Sequence, residues 1–139
     1  MRDIKQLIIH CADTYVSMDV GVDEIRSWHV DGNGWDDIGY HYVIRRNGMV
    51  GKGRPDDVVG AHARGMNSKS LGICIVGGKG LDNQPEVNYT YAQWDSLLTL
   101  CNNLSDNHPE ADVIGHCDVP DSGKTCPNFN VKAWWSSIK

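Results

Sequence analysis

Residues 116–127, HCDVPDSGKTCP, bring several side chains that can bind a metal into one turn-rich segment. His116 and Cys126 are candidate ligands because imidazole nitrogen and thiolate sulfur are donors that zinc commonly takes in proteins. Cys117 and Asp118 are further candidates in the same segment. The chain has neither a CxxC nor an HExxH motif, so any ligand beyond this segment must come from a distant part of the sequence.

His10 is the best candidate for that distant ligand. The apolar runs QLIIH (6–10) and DVIGH (112–116) each predict a short strand that ends in a histidine, His10 in the first and His116 in the second. Side chains at strand ends project beyond the packed core, and α/β sheets build their sites there. The two histidines therefore have the positions that a shared site requires.

The geometry of strands favours Cys126 as the third ligand. Side chains alternate between the two faces of a strand, so Cys11 and Cys117 should point away from a site that the two histidines share. Two histidines and one thiolate, with a fourth position left to water, are the donor set of a catalytic zinc site. A structural site would have four protein ligands, and Cys117 or Asp118 would then have to supply the fourth.

The spacing of apolar residues predicts the elements that must position these side chains. Asn47-Gly48 predicts a type I′ turn in a hairpin, and Thr90 and Gln93 have the spacing of a capping box at the start of a helix. The predicted elements, besides the two strands, are a helix through Val22, Ile25 and Trp28, a hairpin at 40–54, a central strand at 71–78, a helix with an apolar face formed by Trp94, Leu97, Leu98, Cys101 and Leu104, and a last helix capped by Asn130. This order predicts a single α/β domain over 1–139, a mixed sheet flanked by helices.

The composition excludes several classes of partner. A formal net charge of -5 argues against a non-specific nucleic-acid binder, and no apolar run approaches the roughly 20 residues that span a bilayer. The apolar run near the N-terminus is too short for a signal peptide, so we expect the chain to stay in the cytoplasm where it is made or to leave it by a route that the sequence does not show. Five cysteines are an odd number, which argues against a closed disulfide framework; Cys74 and Cys101 lie in apolar patterns and are predicted to be buried.

Four motifs, taken together, resemble a known family. They are IIHCADT (8–14), GYHYVIRRNGMVGKGR (39–54), GAHARGMNSKSLGICIVGG (60–78) and GHCDVP with KTCPNF and WW (115–135). In this order they resemble the type 2 N-acetylmuramoyl-L-alanine amidases, zinc amidases related to the peptidoglycan recognition proteins, whose members include phage endolysins. The resemblance implies a mixed sheet with packed helices and a cleft that holds one zinc ion per chain.

By motif match, the resemblance also implies roles for individual residues. His10, His116 and Cys126 stand at the zinc-ligand positions of the family, and Tyr40 and Lys124 stand at its catalytic tyrosine and lysine. Lys124 would stabilise an oxyanion, whereas Tyr40, with a phenol pKa near 10, is better suited to donate a hydrogen bond than to act as a base. The residues that we predict to bind substrate are His62, Arg54, Asn67 and Ser70.

The other histidines are predicted to be structural. His41 follows Tyr40 and should face the opposite side of its strand, where a buried, hydrogen-bonded role is expected. His29 and His108 are predicted to be structural or to face solvent.

The implied reaction is hydrolysis of the amide between the lactyl group of N-acetylmuramic acid and L-alanine in peptidoglycan. A phage or prophage endolysin of this kind would wait as a monomer in the cytoplasm of its bacterial host until it is released to the cell wall. The alternative is a module that binds peptidoglycan without cutting it, and the complete set of ligands with Tyr40 and Lys124 favours the enzyme. A phage member of the family also binds RNA polymerase, which adds a second partner as a hypothesis.

Overall fold

The apolar runs that predict strands pair into one five-stranded sheet in the computed structural model, which describes residues 2–138. The strands in chain order are β1 (Gln6–Cys11), β2 (Thr14–Tyr15), β3 (Tyr42–Ile44), β4 (Val50–Lys52), β5 (Ser70–Ile75), β6 (Gly78–Lys79) and β7 (Asp112–Gly115). The order across the sheet is β4-β3-β5-β1-β7, while β2 and β6 form a separate parallel pair. Met1 and Lys139, which the predicted domain includes, lie outside the described residues.

Three α-helices accompany the sheet in the described part of the chain: α1 (Val22–Ser27), α2 (Tyr91–Asn107) and α3 (Val131–Ser137). The shorter helical turns are a π-helical turn at Trp28–Gly32 and 3-10 turns at Asn67–Lys69 and His116–Asp118. The order of strand, helix, hairpin, strand, helix, strand and helix confirms the predicted α/β class. Within residues 2–138 every helix is too short or too polar to cross a membrane.

The sheet is mixed, and its two faces bury different helices. β1 runs parallel to both β5 and β7, β3 runs parallel to β5, and only the edge strand β4 is antiparallel. On one face, Leu7 and Ile9 of β1 pack with residues of α2 and α3. On the other face, Ile25 of α1 packs with Cys74. The site described below lies at the carboxyl end of the parallel strands, on the α1 side.

The hairpin of β3 and β4 forms where it was predicted, but its turn is not of type I′. A type I′ turn needs positive φ at both central residues, and here Gly48 has φ +87 while Asn47 is not in the positive-φ region. The N–H of Gly48 donates to the carbonyl of Arg45, and the N–H of Arg45 donates to the carbonyl of Met49. This pattern is the three-residue loop in which a turn is followed by one left-handed glycine.

The helix predicted through Val22, Ile25 and Trp28 is shorter in its α-helical part than its apolar spacing suggests. Ile25 is 1% exposed, but Trp28 begins the π-helical turn and is 42% exposed. A π turn has a wider repeat than an α-helix, so the residues after Ser27 no longer continue the apolar stripe. The turn brings His29 inward, a position that matters for the site.

Gln93 holds α2 to the ends of two strands. Its amide nitrogen donates to the carbonyls of Ile44 and Val76, at 3.1 and 2.8 Å, and its amide oxygen accepts from the N–H of Thr90 in the predicted capping box. The same oxygen accepts from the Arg46 guanidinium at 3.1 Å. The Gln93 side chain is fully buried. The carbonyl of Ile44 also accepts from the N–H of Val76, and the carbonyl of Val76 also accepts from Arg46, so the Gln93 amide adds a second hydrogen bond to each carbonyl.

We therefore expect Gln93→Leu to lower the free energy of unfolding by at least about 2 kcal/mol, because it removes four hydrogen bonds of a fully buried amide, including the one that accepts from the N–H of Thr90. Urea unfolding followed by circular dichroism measures this change. Gln84→Leu is the matched control, since Gln84 is exposed in a loop and should shift stability by no more than about 0.5 kcal/mol. Equal stability of the two variants would contradict the structural role of Gln93.

Candidate active site

The register of β1 and β7 places the two predicted histidine ligands side by side. Ile9 of β1 is paired with Gly115, the last residue of β7, so His10 and His116 are the residues that follow this pair in the two parallel segments. Their Nδ1 atoms lie 3.2 Å apart. His10 is 1% exposed, while His116 begins a 3-10 turn and stays partly open to solvent. The structure thus brings together two residues that are 106 positions apart in the chain.

Cys126 completes a group of three donors at the same edge. Its carbonyl accepts from the N–H of Cys117 at 2.9 Å, which closes the loop after His116. Its Sγ accepts from the N–H of Cys11, also at 2.9 Å. Donor atoms of His10, His116 and Cys126 all lie within 4.8 Å of one another, the arrangement of a candidate metal site.

The other two candidates in the segment have different roles. Cys117 is exposed, and the carboxylate of Asp118 accepts from the N–H of Gly115 at 2.9 Å, where it caps the 3-10 turn. Within residues 2–138, neither belongs to the group of clustered donors. Cys11 packs with the opposite core cluster, as the alternation of β1 predicts. The candidate metal site therefore has three clustered protein donors rather than four.

This donor set fits a zinc ion. Two nitrogen ligands of a tetrahedral zinc lie about 3.3 Å apart, given a zinc–nitrogen bond of about 2.05 Å, and the two Nδ1 atoms are separated by nearly this distance. Burial holds the pKa of His10 well below its usual value, and the pKa of His116 is also lowered by burial and by the charge of Lys124. Both rings are therefore neutral at neutral pH, which is the form that binds a metal.

His62 lies directly behind His10. Its Nδ1 is 2.8 Å from Nε2 of His10, and its Nε2 is 3.2 Å from Oγ of Ser70. Burial, with the help of nearby cationic groups, lowers the pKa of His62 to about 3, so this ring is also neutral. The backbone N–H groups of His62 and Ala63 donate to the side-chain oxygen of Asn67, both at 2.9 Å, which fixes the loop that carries the ring.

Of the four residues predicted to bind substrate, His62 and Asn67 line the cleft next to the metal site. Ser70 is fully buried beneath His62, so its side chain supports the ring instead of facing the cleft. The guanidinium of Arg54 donates to the backbone carbonyls of Ile38 and Val59, at 2.7 and 2.8 Å, and thereby holds two loop segments together. Direct contact of His62 and Asn67 with substrate stays a prediction.

Tyr40 packs against the candidate ligand His10. The two ring centroids are 5.1 Å apart, and the ring of His29 lies 5.5 Å from Tyr40 on another side. Burial, reinforced by the neighbouring cysteines, raises the pKa of Tyr40 well above its usual value of 10. Its hydroxyl therefore stays protonated and can donate a hydrogen bond, which agrees with the expectation that this tyrosine is a poor base.

The remaining histidines are structural, as predicted. His41 is fully buried: its Nδ1 accepts from the N–H of Gly72 at 3.0 Å, and its Nε2 lies 2.8 Å from the carbonyl of Val58. His29 accepts the N–H of Gly39 at 2.8 Å, immediately before Tyr40, and so helps to position that tyrosine. His108 caps the C-terminal end of α2.

Lys124 lies on the wall of a cleft of about 1140 Å³ that His116 also lines. The cleft lies between two loops, 61–67 on one side and 119–124 on the other, and the exposed Trp35 stands at its margin. Lys124 itself is exposed, so its ammonium group is free to meet a ligand in the cleft. The arrangement places a cation and a candidate metal site on one binding surface, which suits a substrate that develops negative charge during reaction.

Comparison with known proteins agrees with the motifs. The family described as N-acetylmuramoyl-L-alanine amidase matches residues 1–129. The chain is 45% identical over 134 residues to an endolysin of Klebsiella phage KP32, covering 96% of this chain and 87% of that protein. It is 42% identical over 129 residues to an endolysin of Escherichia phage T7, covering 93% of this chain and 83% of that protein.

The fold agrees as well. The solved structure of N-acetylmuramoyl-L-alanine amidase LysC from Clostridium intestinale URNW has a TM-score of 0.81 and 28% sequence identity, covering 97% of this chain and 87% of that chain. These findings confirm the family resemblance that the four motifs indicate. The chain belongs to the N-acetylmuramoyl-L-alanine amidase family of enzymes.

Proposed function

We propose that this protein is a zinc-dependent endolysin that hydrolyses the amide between the lactyl group of N-acetylmuramic acid and L-alanine in peptidoglycan. The observation that carries the proposal is the cluster of three donors from His10, His116 and Cys126 beside a cleft that Lys124 lines. The family match and the likeness to phage endolysins support the reaction and the substrate.

Three residues of the chain would hold the metal: His10 and His116 through Nδ1, and Cys126 through Sγ. A zinc ion bound there supplies an activated water and polarises the carbonyl of the amide. Cys126 Sγ accepts from the N–H of Cys11, which favours the thiolate, while the neighbouring Cys11 side chain and burial raise the pKa of Cys126. The positive charge of a bound metal would favour the thiolate against these two effects. Because the buried His10 and His62 are both neutral, the inner side of the site adds no positive charge that would compete with the metal.

Lys124 and Tyr40 would act on the reacting amide itself. As the carbonyl carbon becomes tetrahedral, its oxygen gains negative charge, and the ammonium of Lys124 on the cleft wall would stabilise that charge. The hydroxyl of Tyr40 stays protonated, so it would donate a hydrogen bond to the same oxygen or to the attacking water. The packing of the Tyr40 ring between His10 and His29 supports a fixed position for that hydroxyl.

The proposal treats 1–139 as one catalytic domain. Its support is that the ligands come from both ends of the family match, His10 near its start and Cys126 near its end, so that neither half could form the site alone. In the setting of an endolysin, the protein would act as a monomer, would stay in the cytoplasm of the bacterial host and would reach peptidoglycan when the cell is lysed.

Digestion of purified sacculi tests the reaction. An amidase releases new free amino groups of alanine, detected by dinitrophenylation, and produces no new reducing sugar ends. New reducing ends would instead mean cleavage of the glycan. Binding of the protein to sacculi without any new amino groups would contradict the proposal and would leave a module that recognises peptidoglycan without cutting it.

A further inference from the structure

A buried chain of hydrogen bonds leads from a backbone carbonyl to the candidate metal ligand His10. The Ser70 hydroxyl donates to the carbonyl of Met66 at 2.8 Å. Ser70 Oγ lies 3.2 Å from Nε2 of His62, and Nδ1 of His62 lies 2.8 Å from Nε2 of His10. Ser70 is fully buried and His10 nearly so.

This chain determines which nitrogen of each ring carries the proton. A carbonyl oxygen can only accept a hydrogen bond, so the Ser70 hydroxyl must donate its single proton to the carbonyl of Met66. Ser70 Oγ must then accept from His62, which places the proton of His62 on Nε2 and leaves its Nδ1 as an acceptor. His10 must in turn donate from Nε2, and a neutral His10 then has a free lone pair on Nδ1.

If the hydrogen bonds of this chain ran in the opposite direction, His10 could not bind a metal through Nδ1. A proton on Nδ1 of His62 would require Nε2 of His10 to accept, so neutral His10 would carry its proton on Nδ1. That atom lies 3.2 Å from Nδ1 of His116 in the donor cluster, and a protonated nitrogen cannot bind a metal. The reversal would also remove the 2.8 Å hydrogen bond from Ser70 to the carbonyl of Met66 and leave that carbonyl with the longer one, at 3.3 Å, from the N–H of Lys69.

The backbone around His62 is shaped to hold its ring. A Cβ atom at Gly72 of β5 would lie 2.5 Å from Cγ of His62, and a Cβ atom at Gly60 would lie 2.7 Å from its Cδ2. Any side chain at either position would displace the ring. Asn67 fixes the loop from the other side by accepting from the backbone N–H of His62.

From this geometry we propose that His62 is a positioning residue, which together with Ser70 and the carbonyl of Met66 holds His10 in the tautomer that binds zinc through Nδ1. The inference rests on the proposed zinc site and goes beyond the predicted contact of His62 with substrate. Outer partners of this kind typically change metal affinity by about 10- to 100-fold when they are removed.

Zinc affinity, measured by competition with a chromophoric chelator, tests the proposal without any assay of activity. His62→Leu removes both ring nitrogens and should weaken zinc binding about 10- to 100-fold. His62→Asn keeps an oxygen near the position of Nδ1 that can accept from His10, so it should recover part of that loss. Ser70→Ala frees the ring of His62 to take either tautomer and should weaken binding by a smaller factor.

His108→Leu is the matched control, because His108 lies at the end of α2, away from the donor cluster. The zinc affinity of this variant should equal that of the wild type. Wild-type affinity in both His62→Leu and Ser70→Ala would overturn the proposal. Ser70→Ala removes a single oxygen atom, so it remains informative if His62→Leu does not fold.

The tautomers can also be observed directly by two-bond ¹H–¹⁵N correlation spectra of the wild-type protein with labelled histidine. We expect the proton on Nε2 in both His10 and His62, with zinc and without it. A proton on Nδ1 of His62 would overturn the proposal in either form. A wild-type protein that shows the expected tautomers but binds no zinc would contradict the proposed function instead.

Discussion

Replacing Cys126 with alanine should abolish amidase activity, with a fall of at least about a thousandfold, and should remove most of the bound metal. The change takes away one of three clustered donors and leaves two histidines, which hold zinc much more weakly. A metal contributes several kcal/mol to stabilising the charged transition state of hydrolysis, and each 1.4 kcal/mol or so is a factor of ten in rate. Release of alanine amino groups from sacculi, with zinc content measured on the same sample, gives both quantities.

Cys117→Ala is the control for this prediction. Cys117 lies next to the proposed ligand His116 but is exposed and lies outside the donor cluster. Its variant should keep its zinc and its activity within about twofold, since exposed substitutions of this kind change stability by no more than about 0.5 kcal/mol. Equal losses in the two variants would mean that the ligand at this edge has been assigned incorrectly.

Replacing Lys124 with alanine should lower kcat about 100- to 1000-fold while the zinc content stays the same. Removal of a single group that stabilises an oxyanion typically costs about 3–4 kcal/mol of transition-state stabilisation. Lys124 is exposed on the cleft wall and is not one of the clustered donors, so the fold and the three donors should survive its loss. Its charge lowers the pKa of His116, but burial does so too, and the imidazole should stay available to the metal at neutral pH. Steady-state kinetics on a soluble muropeptide would separate kcat from KM.

Lys132→Ala removes the same charge from an exposed position on α3 and should leave kcat unchanged. If Lys124→Ala raised KM with no effect on kcat, the lysine would hold the substrate in its ground state and would not act on the oxyanion. A fall in zinc content would mean that it acts on the metal site. The two lysine variants therefore test stabilisation of the oxyanion, whereas the two cysteine variants test metal binding.

Local sequence patterns correctly predicted most of the strands and helices. The apolar runs that end in His10 and His116 identified β1 and β7, and Thr90 with Gln93 correctly marked the start of α2. The turn at Asn47-Gly48 was assigned wrongly because Asn-Gly occurs both in type I′ turns and in turns where only the glycine is left-handed, as here. The number of residues in the loop decides between these two turn types. The sequence does not show where the two strands end, so it does not give that number.

At the site, the sequence did not predict the contacts between residues that are far apart in the chain. Strand alternation correctly predicted that Cys11 of β1 points away from the site. It does not apply to Cys117, which lies in the 3-10 turn that begins at His116, and the position of that side chain outside the donor cluster has a different cause from the one the sequence suggested. The role of Ser70 depends instead on β5 bringing it under His62, and the inward position of His29 depends on a π turn that interrupts the spacing of α1. A signal for the first was present in Gly72, whose missing side chain makes room for the His62 ring.

The central claim is that three residues from opposite ends of the chain bind one zinc ion, and metal analysis of the purified protein tests it most directly. Mass spectrometry of the intact, desalted protein should find about one zinc per chain in the wild type. The same measurement on His10→Ala should find almost none, because the change removes one of the three clustered donors. A wild-type protein without zinc, or a His10→Ala variant that keeps its full complement, would contradict the account.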